Sequence, residues 1–281
     1  MDGSHHAWLE DRGPELVLMG YVDDATGTVF GRFYEYEGTL PAMDSLRKYI
    51  RKYGIPQSIY LDRHSTYQSL REPTLEEQLK NQRPATQFER ALRELGVRVI
   101  HAYSPQAKGR VERSFRTFQD RLIKEMRLEG IATLKAANSF VDSYLRPHNK
   151  RFRVNAMSPV DVHQPALSIP ELNAILCIKK ERVVRNDATV AFEGQFYQIL
   201  EPVQAKKVTI ERWPNDSLHI RCKGSLVRFR SVSKPAGKVT ARSVKRSNKK
   251  NMPNNTPWRK YSTRFYSRRT LDKLGKKEAV A

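Results

Sequence analysis

A single carboxylate, Glu112, lies among cations in the stretch "KGRVER" that opens a predicted helix. Lys108 and Arg116 stand four residues before and after it, a spacing that allows a surface ion-pair ladder worth about 0.2–0.5 kcal/mol per pair. Glu112 also flanks, at about 100° around the helix, a face predicted to be buried. That face is marked by the apolar residues Val111, Phe115, Phe118, Leu122 and Met126. Spacing alone leaves an ion-pair ladder and a chemical role both open.

Two aspartates stand at the ends of predicted strands. Asp62 ends the short apolar strand "QSIYLD", where an aspartate is also a common cap of the following turn. Asp2 precedes a predicted β-hairpin, 16–22 and 29–36, and taken alone it indicates nothing. Asp23 begins the turn "DDATG" between those strands and needs no further role.

The predicted elements follow the order strand, hairpin, helix, strand, helix, strand, helix, which is a mixed α/β layout. The 281 residues have room for one large domain and one small one, and 39% of them are hydrophobic. Lys and Arg number 51 against 30 Asp and Glu, which leaves a net charge of +21. This excess predicts a polyanionic partner, most simply nucleic acid, with an anionic membrane surface as the weaker alternative.

Several other classes of protein are disfavoured. No apolar run approaches the roughly 18 residues of a membrane span, and the start of the chain is not typical of a signal peptide. Cys177 and Cys222 indicate a reducing compartment without disulfides or a cysteine metal site. The seven histidines include no pair at metal-ligand spacing on a predicted helix.

The pattern of the C-terminal third of the sequence predicts a small domain followed by a tail. Four or five short strands with turns between them predict a small SH3-like β-barrel at 178–232. Its aromatic residues Phe192, Tyr197 and Trp213 are expected in the core rather than as stacking platforms for bases. Residues 233–281 have little apolar periodicity and predict a basic, disordered tail, and the residues from Lys234 onward carry thirteen of the 21 net charges.

Taken together, the three carboxylates resemble the DDE triad of the RNase H-like core found in retroviral integrases and many bacterial transposases. "YSPQAKGRVERSFRTFQDRL" resembles that family's signature around the glutamate, and "IYLDRHSTYQS" resembles the segment of the second aspartate. The opening "MDGSHHAWLEDRGPELVLMGYVDDATGTVFGRFY" resembles the first-strand aspartate and its hairpin. With "YLRPHNKRFRVNAMSP", these segments are similar to insertion-sequence transposases of the ISNCY type, over roughly Asp2 to Arg230.

Two features depart from the common pattern. "DRHS" stands where other members of the superfamily have a DNG-type motif, and the 49 residues between Asp62 and Glu112 exceed the spacing of the best-known members. In the family, helix-turn-helix domains and the first half of the strand precede the first aspartate. The resemblance therefore implies an N-terminally truncated chain, with Asp2 at a frayed terminus and with impaired activity.

The resemblance implies an α/β fold, namely an RNase H-like mixed five-stranded sheet with flanking helices, followed by a small SH3-like β-barrel and a basic tail. The corresponding domains are an integrase catalytic core at 1–128, a helical extension and linker at 129–177, a DNA-binding β-barrel at 178–232 and the tail at 233–281. The implied location is the bacterial cytoplasm, in association with the nucleoid.

The implied activity is that of a DDE transposase, which cleaves DNA ends and transfers them to target DNA. Asp2, Asp62 and Glu112 would be its catalytic residues and the ligands of two Mg²⁺ or Mn²⁺ ions. The partners would be transposon ends, target DNA and further copies of the chain, without a membrane or a small-molecule cofactor. The expected DNA contacts are Lys108, Arg110, Arg113, Arg116, Lys206, Lys207, Arg212, Lys245, Arg246, Lys249 and Lys250.

Two alternatives stay open at the level of the sequence. One is a non-catalytic DNA-binding remnant, or a regulator of a full-length transposase. The other is an RNase H-like nuclease unrelated to transposition.

Deletion of residues 234–281 is expected to weaken binding to duplex DNA and to flatten its salt dependence, because each phosphate contact adds about 0.9 to the log–log slope. Titrations of a mixed-sequence duplex at several salt concentrations measure both quantities. Unchanged affinity and slope would exclude the tail as the main binding element.

Overall fold

A computed structural model describes residues 1–62, 64–79, 81, 83–101, 109–202 and 205–233. These residues lie within one compact unit, Met1–Lys234. None of the helices in this part of the chain is long and apolar enough to cross a membrane. The predicted tail beyond Ser233 lies outside the described residues, as do the expected DNA contacts Lys108, Lys245, Arg246, Lys249 and Lys250.

The first three strands form an antiparallel sheet in the order β1-β2-β3. The central strand β2 is buried along nearly its whole length, and a short 3-10 helix, Glu10–Arg12, connects it to β1. The predicted turn after β2 is confirmed, because Asp23 Oδ2 accepts a hydrogen bond from Thr26 N at 2.9 Å. The return strand β3 ends two residues earlier than predicted. The three strands are β1 Asp2–His6, β2 Leu16–Val22 and β3 Val29–Tyr34.

A second, parallel sheet consists of β4, Ser58–Leu61, and β5, Arg98–His101. The preceding helices, α1 Thr39–Tyr53 and α3 Gln87–Glu94, pack their apolar faces into the same core as β4. Apolar spacing predicted both helices, and α3 begins with a capping box between Thr86 and Glu89.

A short helix, α2 Leu75–Leu79, forms within the stretch 63–83 that polar composition predicted to be irregular. Its start has the spacing of a capping box, since Glu77 Oε2 accepts hydrogen bonds from the backbone N and the hydroxyl of Thr74 at 2.8 and 2.9 Å. The hydrogen bond from Arg71, together with those from Thr74, lowers the pKa of Glu77 to about 2. Local capping therefore formed a helix that apolar periodicity could not predict.

Helices α4, Gly109–Leu128, and α5, Leu134–Phe152, cover the opposite face of the three-stranded sheet. The residues of β2 alternate between the two cores, with Val17 and Met19 in the first and Leu16 and Leu18 in the second. The predicted face of α4 is confirmed, because its five apolar residues are buried: Val111, Phe115, Phe118, Leu122 and Met126.

The five predicted strands of the first domain are present, but a single five-stranded sheet is not confirmed. The two sheets share one apolar core, and the ammonium group of Met1 donates to the carbonyl oxygen of Tyr60 in β4 at 3.1 Å. Asp2 is the first residue of β1 and pairs with Gly20 of β2. Asp2 is therefore paired within a strand of this structure, whereas the resemblance implied a frayed terminus.

The chain after α5 passes through α6, Ile169–Ile175, into two small antiparallel sheets that share one apolar core. Their strand orders are β11-β10-β9-β6 and β12-β8-β7. An SH3-like barrel is not confirmed, and the domain boundaries at 128, 177 and 232 stay predictions. The strands are β6 Ile178–Val183, β7 Thr189–Phe192, β8 Gln195–Ile199, β9 Lys207–Arg212, β10 Leu218–Cys222, β11 Ser225–Val227 and β12 Phe229–Val232.

Asn138 of α5 pairs with the edge strand β3 much as another strand would. Its Oδ1 accepts from Phe33 N at 2.9 Å, and its Nδ2 donates to Phe33 O at 3.0 Å. Phe33 is fully buried, so these backbone groups have little access to water.

Asn138→Ala is expected to lower the free energy of unfolding by about 1–3 kcal/mol, because it leaves both backbone groups of Phe33 without their partner. Thermal unfolding should show a Tm lower by about 2–4 °C per kcal/mol. Ser139→Ala, at the next and exposed position of the same helix, is the control and should change little. Equal Tm values for the two variants would contradict this account of the edge strand.

Candidate active site

Asp2 lies on the face of β1 that α4 covers. Ser4 lies on the same face as Asp2, because alternate residues of a strand point the same way. Ser4 is buried, and its hydroxyl accepts a hydrogen bond from Gln119 Nε2 of α4 at 3.1 Å. Met1, on the opposite face, packs against the first core instead. The Asp2 side chain is half-buried.

Glu112 is exposed and lies in the first turn of α4. The Phe115 ring, one turn further along, lies directly over Gly20, so close that a Cβ at Gly20 would be 2.6 Å from Phe115 Cε1. Gly20 is the residue opposite Asp2, and paired Cα atoms of antiparallel strands are about 4.5–5.5 Å apart. The first turn of α4 therefore begins close to Asp2.

Asp62 follows β4 and is half-buried. Its Oδ1 accepts from His64 N at 2.9 Å, so the turn cap considered from the sequence does form. Ile59 and Leu61 are buried in the first core, which puts Tyr60 and Asp62 on the other face of β4. Since Met1 is hydrogen-bonded to Tyr60, the start of β1 lies beside the strand that leads to Asp62.

A network that sequence reasoning missed ties β1 to the segment after Asp62. The carboxylate of Glu37, with only 8% of its side chain exposed, accepts hydrogen bonds from His5 Nε2 and from the Tyr67 hydroxyl, both at 2.9 Å. Burial, reinforced by the Glu37 charge, raises the pKa of the fully buried Tyr67. No periodicity in the sequence marks Glu37 as a functional residue. Gln119 could have been recognised, because it lies seven positions, or two helical turns, after Glu112 on the same side of the predicted helix.

The donor set of Asp2, Asp62 and Glu112 suits a hard divalent cation, because Mg²⁺ prefers oxygen ligands. Across the described ranges, however, no group of three or more His, Cys, Asp or Glu side chains is close enough to hold a metal ion. The fold thus brings the three elements together without assembling a finished metal centre. Donor chemistry fits two Mg²⁺ or Mn²⁺ ions, and their binding stays a prediction.

The cations near Glu112 differ in how they are held. The Arg110 guanidinium pairs with Asp24 at 3.0 Å, and Arg113 Nε donates to the carbonyl of Gly109 at 2.9 Å. Arg116 is exposed. The ion pair between Glu112 and Arg116 does not form among the described residues, whereas Lys124 and Asp120 of the same helix pair at 2.7 Å. The Arg116 half of the ion-pair ladder that the spacing allowed is therefore absent from the described part of the chain.

Most of the cations proposed for the small sheets already have acidic partners. Lys207 lies 3.3 Å from Glu181, and Arg212 lies 2.8 Å from Asp216. Lys206 is exposed. These surface pairs are worth little, about 0–1 kcal/mol each, so they leave a role in DNA contact open.

The aromatic residues of the small sheets serve mainly in packing. Phe192 is buried in the core, and Tyr197 packs against it. Trp213 stacks on His219 at 3.8 Å and donates to the carboxylate of Glu211 at 3.2 Å. These contacts agree with the expectation that the three rings are not free stacking platforms.

Cys177 is a buried free thiol, and Cys222 is also free. Burial raises the pKa of Cys177 to about 12, with a further contribution from Glu211. The thiol therefore stays protonated at neutral pH, which disfavours a nucleophilic role.

The chain is related to bacterial insertion-sequence transposases, as its motifs indicated. Over 241 residues it is 34% identical to the protein named "Putative transposase y4bF" of Sinorhizobium fredii, a match that covers 83% of this chain and 52% of the relative. Over 201 residues it is 34% identical to the transposase for insertion sequence IS1202 of Streptococcus pneumoniae, covering 70% of this chain and 41% of that protein. The chain thus spans about half the length of the curated relatives it matches. No family model matches it.

Among solved structures, the chain is similar to one chain in the cryo-EM structure of a simian T-cell lymphotropic virus intasome in complex with a PP2A regulatory subunit. The likeness has a TM-score of 0.43 and 17% sequence identity, and it covers 83% of this chain and 77% of that chain.

Gly20→Ala is expected to lower the free energy of unfolding by about 1–3 kcal/mol, because the new methyl group overlaps the Phe115 ring. Gly31→Ala is the matched control. Gly31 lies directly opposite Gly20 on β3, and the nearest atoms to a Cβ there are the ends of two flexible side chains, Leu18 Cδ1 at 3.2 Å and Leu145 Cδ1 at 3.6 Å.

Chemical denaturation measures both variants. Combining Gly20→Ala with Phe115→Leu should show favourable coupling, since the smaller side chain makes room for the methyl group. Equal stability of the two alanine variants would contradict the close approach of α4 to β2.

Proposed function

We propose that this chain is the catalytic part of a transposase, which cleaves the ends of a DNA element and joins them to target DNA in a metal-dependent reaction. The observation that supports this most directly is the position of β1. Its first residues contact β4 through Met1 and Tyr60, and its partner Gly20 contacts α4 through Phe115. β1 and α4 carry Asp2 and Glu112, and Asp62 directly follows β4.

Asp2, Asp62 and Glu112 would hold two Mg²⁺ or Mn²⁺ ions through their carboxylate oxygens. Such ions, when bound, activate the attacking oxygen and stabilise the leaving oxygen at phosphorus. Solvent reaches all three residues, because Glu112 is exposed and the two aspartates are half-buried. Their mutual repulsion would favour cation binding.

The cations on α4 would hold the DNA backbone beside the carboxylates. Arg113 and Arg116 are exposed one position and one turn after Glu112. Arg110 would exchange Asp24 for a phosphate, because a guanidinium group can hold a phosphate with two parallel hydrogen bonds and the exposed pair with Asp24 contributes little. Lys108 would add a further phosphate contact.

Two displacements at phosphorus make up the proposed reaction. Water first hydrolyses the phosphodiester bond at the end of the element and leaves a 3′-hydroxyl. That hydroxyl then attacks a phosphate of the target, and one P–O bond forms as the bond to the target's 3′ oxygen breaks. No covalent protein–DNA intermediate is needed. The partners would be both DNAs and further copies of the chain, in the bacterial cytoplasm at the nucleoid.

A non-catalytic DNA-binding or regulatory role is the second candidate. It is favoured by the lack, within the described residues, of any three acidic, His or Cys side chains close enough to hold a metal ion. An RNase H-like nuclease unrelated to transposition is less well supported, because both curated relatives are named as transposases.

Nicking of supercoiled plasmid in the presence of Mn²⁺ or Mg²⁺ tests the proposal. Asp62→Asn and Glu112→Gln should each lower the rate by about 100-fold or more, since even outer groups around a metal contribute 10–100-fold. Glu125→Gln, at an exposed position further along α4, is the matched control and should leave the rate unchanged.

Mn²⁺ binding, followed by electron paramagnetic resonance, gives a second readout. Affinity should fall in the first two variants and stay constant in Glu125→Gln. Metal-independent nicking, or equal activity in all four proteins, would rule out the proposed site and leave the non-catalytic role.

A further inference from the structure

We propose that Tyr60 stacks on a base of the DNA held at the candidate active site and so orients the phosphate beside Asp62. This inference rests on the proposed function, because it assigns a DNA contact within the same site. The Tyr60 side chain is exposed and is not one of the buried residues of the apolar core.

The exposure of Tyr60 shows that its ring has little part in packing. Ile59 and Leu61 on either side are 6% and 0% exposed, whereas Tyr60 is 45% exposed. Residues two apart on a strand share one face and are about 6.5–7 Å apart. The Tyr60 ring is therefore next to Asp62, on the face towards which Asp2 also points.

A cavity of about 520 Å³ adjoins this ring. Its lining includes Tyr60 from β4 and also Arg110 and Val111 from the first turn of α4, immediately before Glu112. The volume is within the range of about 300–1,000 Å³ typical of sites that hold small organic groups. The space thus adjoins β4, which leads to Asp62, and the first turn of α4, and its lining also includes Asp23 and Asp24 from the turn after β2.

Electrostatics favour an uncharged contact at this point. Even with two cations bound to the proposed carboxylates, Asp23 and Asp24 line the cavity and repel phosphates, so a DNA strand held there gains from an attraction that involves no charge. Stacking on an aromatic ring supplies it and tolerates any sequence, because every base has a π face. A lone exposed tyrosine is otherwise unremarkable on a protein surface. Here its position beside Asp62 and the cavity give the ring a specific role.

Photochemical crosslinking of the full chain tests the proposal. The probe is a set of duplexes with single-stranded ends, each carrying one 5-iododeoxyuridine. Mass spectrometry should find crosslinks at Tyr60 in at least about tenfold excess over Tyr36. Tyr36 is a suitable control because it is 52% exposed and follows β3, at the far edge of the sheet from β1. Tyr60→Phe should retain the crosslink at position 60, and Tyr60→Ala should lose it.

A second measurement separates stacking from a structural effect. An abasic unit at the crosslinking position should slow nicking by the native chain about tenfold, the equivalent of stacking one base. Tyr60→Ala should nick both substrates at the same reduced rate, and Tyr60→Phe should still distinguish them. Unaltered discrimination in Tyr60→Ala, or crosslinks no stronger than at Tyr36, would overturn the proposal.

The two proposals fail in different ways. If Asp62→Asn and Glu112→Gln abolish nicking while the Tyr60 variants behave as the native chain does, the catalytic role stands and stacking is wrong. If the chain crosslinks at Tyr60 but nicks no DNA with either metal, stacking stands and the catalytic role is wrong.

Discussion

The close approach of the Phe115 ring to Gly20 sets the distance between the helix that carries Glu112 and the strand that carries Asp2. A Cβ at Gly20 would lie 2.6 Å from the ring, so glycine is what lets α4 pack this close to the sheet. A buried aromatic side chain removes about 150–250 Å² from water, which makes the contact strong as well as close. The hydrogen bond from Gln119 to Ser4 then fixes how far α4 is displaced along β1.

Charge is distributed unevenly around this contact. The chain has a net charge of +21, yet three of its carboxylates belong to elements that meet at one place. Nearby cations are already engaged, as Arg110 is with Asp24. Exposed pairs of this kind contribute only about 0–1 kcal/mol, so a DNA phosphate can displace them at small cost. The site can therefore be acidic at its centre and still bind a polyanion at its edge.

Much of the fold near the site could be predicted because the signals are local. Apolar spacing correctly predicted the buried face of α4, and the turn residues correctly predicted the turn that begins at Asp23. The contact between Met1 and Tyr60 joins residues 59 positions apart, and the Glu37 network joins three separate segments. Such pairings follow from tertiary packing and leave no periodic trace in the sequence.

The prediction of an irregular segment at 63–83 failed, because a local capping interaction outweighed the polar composition of that stretch. Polar residues suggested an irregular segment, and the capping interaction between Thr74 and Glu77 formed α2 there. The candidate residues themselves were recognised from motifs, whereas their placement on one side of the strands required the pairing of β1. The proposed role of each carboxylate depends on this placement, which spacing alone did not decide.

The attachment of the small sheets to the first core bears on how DNA would be held. The Gln87 amide of α3 bonds to both backbone groups of Lys179 in β6, at 2.9 and 3.0 Å. Leu172 and Leu176 are fully buried in the first core, and removing such a side chain costs about 2–5 kcal/mol. The first strand of the small sheets is therefore fixed to α3, the helix that leads into β5 beside β4 and Asp62. Any DNA contact made by these sheets would stand at a set position relative to the candidate site.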